Sequence, residues 1–230
     1  MSNSSRALLV GAVIAAPMFV LLWAVQAVTR EGFRPTYHPM SLLSLGDWGW
    51  VQVANFIVVG LLVIGGGYAL QLGPGPIAGW IRCFVVLIGV GLVVSGVFVT
   101  DAGAGFPIGA PEGAPVMSWH GAVHEAGFVL TQVAFLGASI TLAVWFAKKR
   151  RVALAVACIV AAVAAVLIAA LGDPETLAIR LVVSSAIELG LVSAVVVDGL
   201  VRRAALSSNL SAARWLEPSG ALPESPHLVD

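Results

Sequence analysis

Long apolar runs separated by short polar breaks dominate the chain. Six runs reach the roughly 20 predominantly apolar residues that a membrane-spanning helix needs: residues 7–28, 51–72, 81–99, 119–147, 152–171 and 178–200. The breaks are unequal. Residues 29–50 and 100–118 make long loops, whereas 73–80, 148–151 and 172–177 are short. The pattern predicts an all-α fold, a polytopic bundle of six transmembrane helices over residues 1–203. A tail at 204–230, rich in Ser, Pro and Ala, is expected to be disordered and cytoplasmic. The first run exceeds the ~7–15 residues of a signal-peptide core and is expected to stay as a span.

Composition supports a membrane protein. Apolar residues make up 59% of the chain and charged residues 10%, where a soluble domain carries about 25% charged. The formal net charge of zero removes an electrostatic case for nucleic acid. Cys83 and Cys158 lack metal-binding spacing and read as small packing residues.

Charge placement predicts orientation through the excess of Lys and Arg in cytoplasmic loops. Nine of the twelve basic residues (Arg6, Arg82, Lys148, Lys149, Arg150, Arg151, Arg202, Arg203 and Arg214) fall on one side of the spans. Arg30, Arg34 and Arg180 fall on the other. Both termini are therefore expected in the cytoplasm and the two long loops outside. The outer side also collects His38, His120, His124 and most carboxylates, with His227 left in the tail. Glycines in the second and third spans should allow close helix approach, and Pro17 should kink the first.

In the first long loop, Pro39 suits a helix start and Gly46 a helix stop, which predicts a short interfacial helix. Tyr37, Trp48 and Trp50 fit an aromatic belt, and Gln52 and Asn55 place amides in the upper bundle. The second long loop is dense in Gly and Pro and should fold over the bundle mouth, with Ser118 as N-cap of the fourth span.

The sharpest motif is His120-Gly-Ala-Val-His124-Glu125. Imidazoles four residues apart share one helix face. One reading is a hydrogen-bonded cluster tying the loops to the bundle through Asp101, Glu125 or backbone carbonyls. A second is a metal site, with zinc on His120, His124 and either His38 or Asp101, and Glu125 or Asp101 as general base. No His-Glu-x-x-His is present, and two histidines one turn apart cannot be opposite axial ligands of a haem. A third is a site for a lipid headgroup or small amphiphile. Glu188 lies eight to ten residues into the sixth span, about 12–15 Å deep. A carboxylate there is a candidate site residue or, alternatively, a glutamate bonded to a nearby serine (Ser184, Ser185 or Ser193) that locks helices together. Arg180 is expected at the interface, snorkelling or paired with Asp173 or Glu175, and Asp198 near Arg202 and Arg203.

Four stretches carry a resemblance: His38-Pro39-x-Ser41, Gly49-Trp50-x-Gln52-x-x-Asn55-Phe56, Phe98-x-Thr100-Asp101 and Ser118-x-His120-Gly121-x-x-His124. Over residues 7–203 the chain resembles the six-span bacterial membrane family known as domain of unknown function 998 (DUF998). The resemblance implies six helices in a bacterial plasma membrane and brings no activity with it. Membrane hydrolases of the alkaline ceramidase and adiponectin-receptor type use Ser, Asp and three His around zinc. Ser41 or Ser44, Asp101, His38, His120 and His124 repeat those residue types, but in six spans and in a different order, so the analogy is one of chemistry alone.

The expected function is an integral membrane protein with an outward-facing polar pocket that binds a lipid-like or small amphiphilic ligand. The pocket is expected to be lined by His38, Ser41, Gln52, Asn55, Asp101, His120, His124 and Glu188. Alternatives are a zinc-dependent membrane hydrolase of a lipid-like amide or ester, and a purely structural or interaction protein. A transporter with Glu188 as proton-coupled gate lacks a broken-helix signal. Membrane lipids are the expected partners, and the oligomeric state is left open.

Overall fold

The computed structural model describes residues 2–216; residues 217–230, with His227, lie outside it. Six helices are long and apolar enough to cross a membrane: α1 (Asn3–Thr29), α2 (Gly49–Ala69), α3 (Pro76–Val97), α4 (Trp119–Lys148), α5 (Val152–Ala170) and α6 (Leu177–Leu216). Helix α6 continues well past residue 203, into the stretch that composition reads as a tail. Each helix packs on its neighbours in sequence, and α6 returns to α1, so the six close a ring. Six spans leave the first and last helix ends at one end, here termed the basic end. The two long connections cluster at the other, the loop end.

Local chemistry accounts for the helix ends. Ser118 caps α4 by accepting from Gly121 N–H at 3.1 Å. Pro76 opens α3, where its missing N–H costs nothing. The expected short helix in the first loop is a 3-10 turn, Met40–Ser44, and Gly46 follows it at φ +72°. Helix α4 ends in a Schellman turn: Arg150 N–H donates to Ala147 O at 2.9 Å and Arg151 N–H to Phe146 O at 2.9 Å. The left-handed position of that turn, φ +57°, is held by Arg150 rather than by the usual glycine.

Close backbone approach holds α2, α3 and α4 together. A Cβ on Gly60 would sit 2.6 Å from Gly89 O, and one on Gly127 would sit 2.8 Å from Gly91 O, so only glycine fits at these crossings. Ring closure between α1 and α6 uses Pro17. Proline cannot donate to the carbonyl four residues earlier, and that carbonyl, Val13 O, instead accepts from Ser193 Oγ of α6 at 3.3 Å. The same hydroxyl lies 3.2 Å from Ala12 O. The core between the helices is apolar, with Phe19, Val59, Val63, Ile81, Ile88, Phe135, Leu142 and Phe146 all buried. Helix α5 is peripheral: among its residues only Cys158, Ala162 and Ala165 are buried.

Candidate functional site

The last carbonyls of any helix lack intrahelical partners. At the loop end, α3 stops at Val97 and α4 starts beside it, running back. His124 Nδ1 lies 2.8 Å from Ser95 O and 2.9 Å from Phe98 O, and His120 Nδ1 lies 2.9 Å from Val99 O. A carbonyl only accepts, so both rings carry their proton on Nδ1 and donate. Ser95 Oγ returns a bond to His124 O at 3.1 Å. The His-x-x-x-His pair of α4 is thus a C-cap for α3.

The reverse contact comes from Asp101, just past α3. Its Oδ2 accepts from Ser118 N–H at 2.7 Å, at the N-terminus of α4, where a carboxylate is favoured by the helix dipole. The hydroxyl and backbone N–H of Ser118 hold the Asp101 carboxyl below the usual carboxylate range. Gly121 leaves the space that carboxylate occupies; a Cβ there would collide with it. His120 approaches the same carboxylate at 3.9 Å. Among the expected readings of the motif, a hydrogen-bonded tie between loop and bundle is the one this geometry displays, with backbone carbonyls as the principal acceptors.

His38 joins the two long loops. Its Nδ1 accepts from Arg34 N–H at 3.0 Å, so Nε2 carries the proton and donates to Ala104 O at 3.0 Å. Its ring lies among Phe33, Tyr37 and Phe106, at centroid distances of 5.3–5.5 Å. Burial pushes the imidazole below its ordinary value. Arg30 donates to Leu43 O at 3.1 Å and to Leu45 O, pinning the 3-10 turn.

Beneath these loops lies a cavity of about 350 Å³. Ser41 and Asp101 help form its roof, and α1, α2, α3, α4 and α6 its walls. Phe19, Phe56, Leu92, Phe128, Leu181 and Leu189 make much of the lining apolar. The polar groups are few: Ser95, Thr100, His124, Glu125, Thr131, Gln132, Ser185 and Glu188. Glu188 is 4% exposed, and its side-chain partner is Gln132 of α4. Glu125, Phe128 and Leu177 line the cavity and are exposed, marking a mouth between the outer parts of α4 and α6.

Of the expected lining residues, Ser41, Asp101, His124 and Glu188 do meet at the cavity, and Glu125 stands at its mouth. His38, His120, Gln52 and Asn55 do not line it. Gln52 and Asn55 belong instead to an amide ladder between α1 and α2. Gln26 Nε2 donates to Gln52 Oε1 at 2.8 Å, and Asn55 Nδ2 to Phe19 O at 3.1 Å. Gln132 is visible in sequence as an amide in the middle of an apolar span, the same signal that marks Glu188, and with Ser95 and Thr131 it is a polar lining residue that the motifs do not point to. Two of the three serines near Glu188 bond elsewhere, Ser184 Oγ to Ala165 O at 2.9 Å and Ser193 Oγ to α1, while Ser185 lines the cavity beside Glu188.

Of the two expectations for Arg180, snorkelling at the interface or pairing with Asp173 or Glu175, the structure shows no pairing with an acidic side chain among the described residues. Its guanidinium donates to Ile168 O at 3.3 Å, Ala169 O at 2.9 Å and Asp173 backbone O at 3.0 Å, a C-cap for α5. At the basic end, Asp198 takes a bidentate pair from Arg151 at 2.6 Å and 2.6 Å, besides the expected contact with Arg202.

A zinc site needs at least three converging donors. Among the described residues, no group of three or more His, Cys, Asp or Glu side chains is placed to hold a metal ion. His38 has both ring nitrogens engaged, and the Asp101 carboxylate lies nearest the His120 nitrogen already bonded to Val99. The arrangement leaves Nε2 of His120 and His124 as imidazole donors without a third ligand.

A comparison with protein families matches residues 13–198 to the family described as Protein of unknown function (DUF998). No curated protein and no solved structure matches the chain.

Proposed function

The chain belongs to the DUF998 family, whose description carries no activity, and we propose that it binds a single-chain membrane amphiphile in the cavity beneath its two long loops, on the outward side of the membrane. The observation that carries the proposal is Glu188, a nearly fully buried carboxyl group at an otherwise largely apolar cavity wall. Gln132 meets part of what a buried carboxyl group demands, and a ligand head bearing N–H or O–H donors would meet Glu188, Gln132 and Ser185 together. About 350 Å³ is near the lower end of small-molecule sites, which run from ~300 to 1,000 Å³. That size suits one chain and a compact head rather than a whole two-chain lipid. Exposed Phe128 and Leu177 (each 37%) at the mouth offer a sideways route from the hydrocarbon layer.

The test is the lipid that stays with the full chain through detergent purification, identified by mass spectrometry. Ser185→Trp fills the cavity and should abolish retention of a single-chain species. Glu188→Gln keeps the volume and should change which head is retained. An identical retained profile in wild type and Ser185→Trp refutes the proposal.

A further inference from the structure

The basic end of the bundle holds a second groove, of about 260 Å³, between α1, α4, α6 and the start of the α2–α3 connection. Its walls include Leu9, Trp145, Phe146 and Val195, and its rim carries Asp198 and Arg202. Cations outnumber the carboxylate around it. Arg151 takes both oxygens of Asp198 and stacks on Phe146 at 5.0 Å. Arg202 reaches Asp198 through Nε alone, so its two terminal amino groups have no hydrogen-bond partner among the described residues. Lys149 lies 4.9 Å over the Trp145 ring. Lys148 and Arg150 are exposed and make no ion pair among the described residues.

We infer that this groove binds an anionic phospholipid, whose acyl chain lies against Leu9, Trp145 and Val195 and whose phosphate meets Arg202, Lys149 and Arg150. Charge complementarity selects the occupant. One carboxylate, already paired twice, stands against three cations at the groove, Arg202 on its rim and Lys149 and Arg151 over its aromatic walls, and the excess has an apolar trough beneath it. A zwitterionic lipid would fill the trough and leave that excess unmatched, whereas an anionic one answers both features. An arginine at the left-handed position of the α4 turn fits the same reading: the turn geometry favours glycine there, and the residue present adds a charge four residues beyond Phe146 of the groove wall. This site lies at the opposite end of the bundle from the loop-end cavity and is independent of it.

The experiment titrates the full chain in detergent with phosphatidylglycerol or phosphatidylcholine and counts bound lipid by native mass spectrometry. Wild type should bind phosphatidylglycerol saturably and in preference to phosphatidylcholine. Each basic group near an anionic lipid surface contributes roughly a fivefold factor, so Arg150→Gly with Arg202→Gln should reduce that preference about 25-fold. Arg150→Gly alone should lower it roughly fivefold while melting no earlier than wild type, because glycine suits the turn. That variant separates lost recognition from misfolding. Absence of any preference in wild type, or a preference undiminished in both variants, overturns the inference.

Discussion

Replacing His124 and His120 one at a time by leucine distinguishes a helix cap from a metal site. His124 is 3% exposed, and its Nδ1 proton is shared between two carbonyls at the end of α3. Leucine leaves Ser95 O and Phe98 O without that donor. A buried acceptor stripped of its partner costs about 1–3 kcal/mol, and the lost shared bond about 1 kcal/mol more. The expected loss for His124→Leu is therefore about 2–4 kcal/mol. The His120 side chain is 43% exposed, and water can take over Val99 O, so His120→Leu should cost only about 0.5–1 kcal/mol. At roughly 2–4 °C per kcal/mol for a chain of this size, the melting temperature should fall by about 4–16 °C in the first case and about 1–4 °C in the second. The assay is thermal unfolding of the purified protein in one detergent, with and without EDTA, alongside metal analysis. A shared zinc ion would make the two variants equally damaged and would let EDTA reproduce the loss in wild type. Equal losses, or a chelator-sensitive wild type, would refute the capping argument.

Further expectations follow from both ends of the bundle. Gly121→Ala should destabilise by about 1–3 kcal/mol, the cost of overpacking, because its Cβ would strike the Asp101 carboxylate; Gly79→Ala, where a Cβ meets nothing within 4 Å, should be neutral or stabilising. Paired thermal melts of the two variants check this. Acid should loosen the loops through His38. Its folded pKa lies below the ordinary value, so below pH ~6.5 the unfolded chain binds the extra proton and stability falls with pH, until the folded ring also protonates. Protonation at Nδ1 also removes the acceptor of Arg34 N–H. Proteolysis of the long loops between pH 7 and 5 should accelerate in wild type and flatten in His38→Asn. Asp101, held low by Ser118, adds a second loss of the same sign as pH falls below ~4.

Much of this architecture was legible along the chain because its causes are local. A bilayer span demands some twenty consecutive apolar residues, so six helices can be counted without knowing any contact. Ser118 capping α4, the turn after Pro39 and the stop near Gly46 are likewise decided within a few residues. The His120 and His124 spacing was legible too, and so was their shared face. What that face meets was not, because the end of α3 is brought to it only by the antiparallel packing of α3 on α4.

The same division holds for the other polar residues. Pro17 announces a lost hydrogen bond, but the hydroxyl that answers it belongs to Ser193, 180 residues from the Val13 carbonyl it bonds. Arg180 sits close in sequence to Asp173 and Glu175, yet folding turns it to the carbonyls at the end of α5. Glu188 could be recognised as costly from its depth alone, while its facing partner Gln132 had to come from another helix. Sequence determined where the chain crosses the membrane, since hydrophobic thickness is read residue by residue. Tertiary structure decided what each buried polar group does, since its partner is chosen by which helix end or cavity wall lies within about 3 Å.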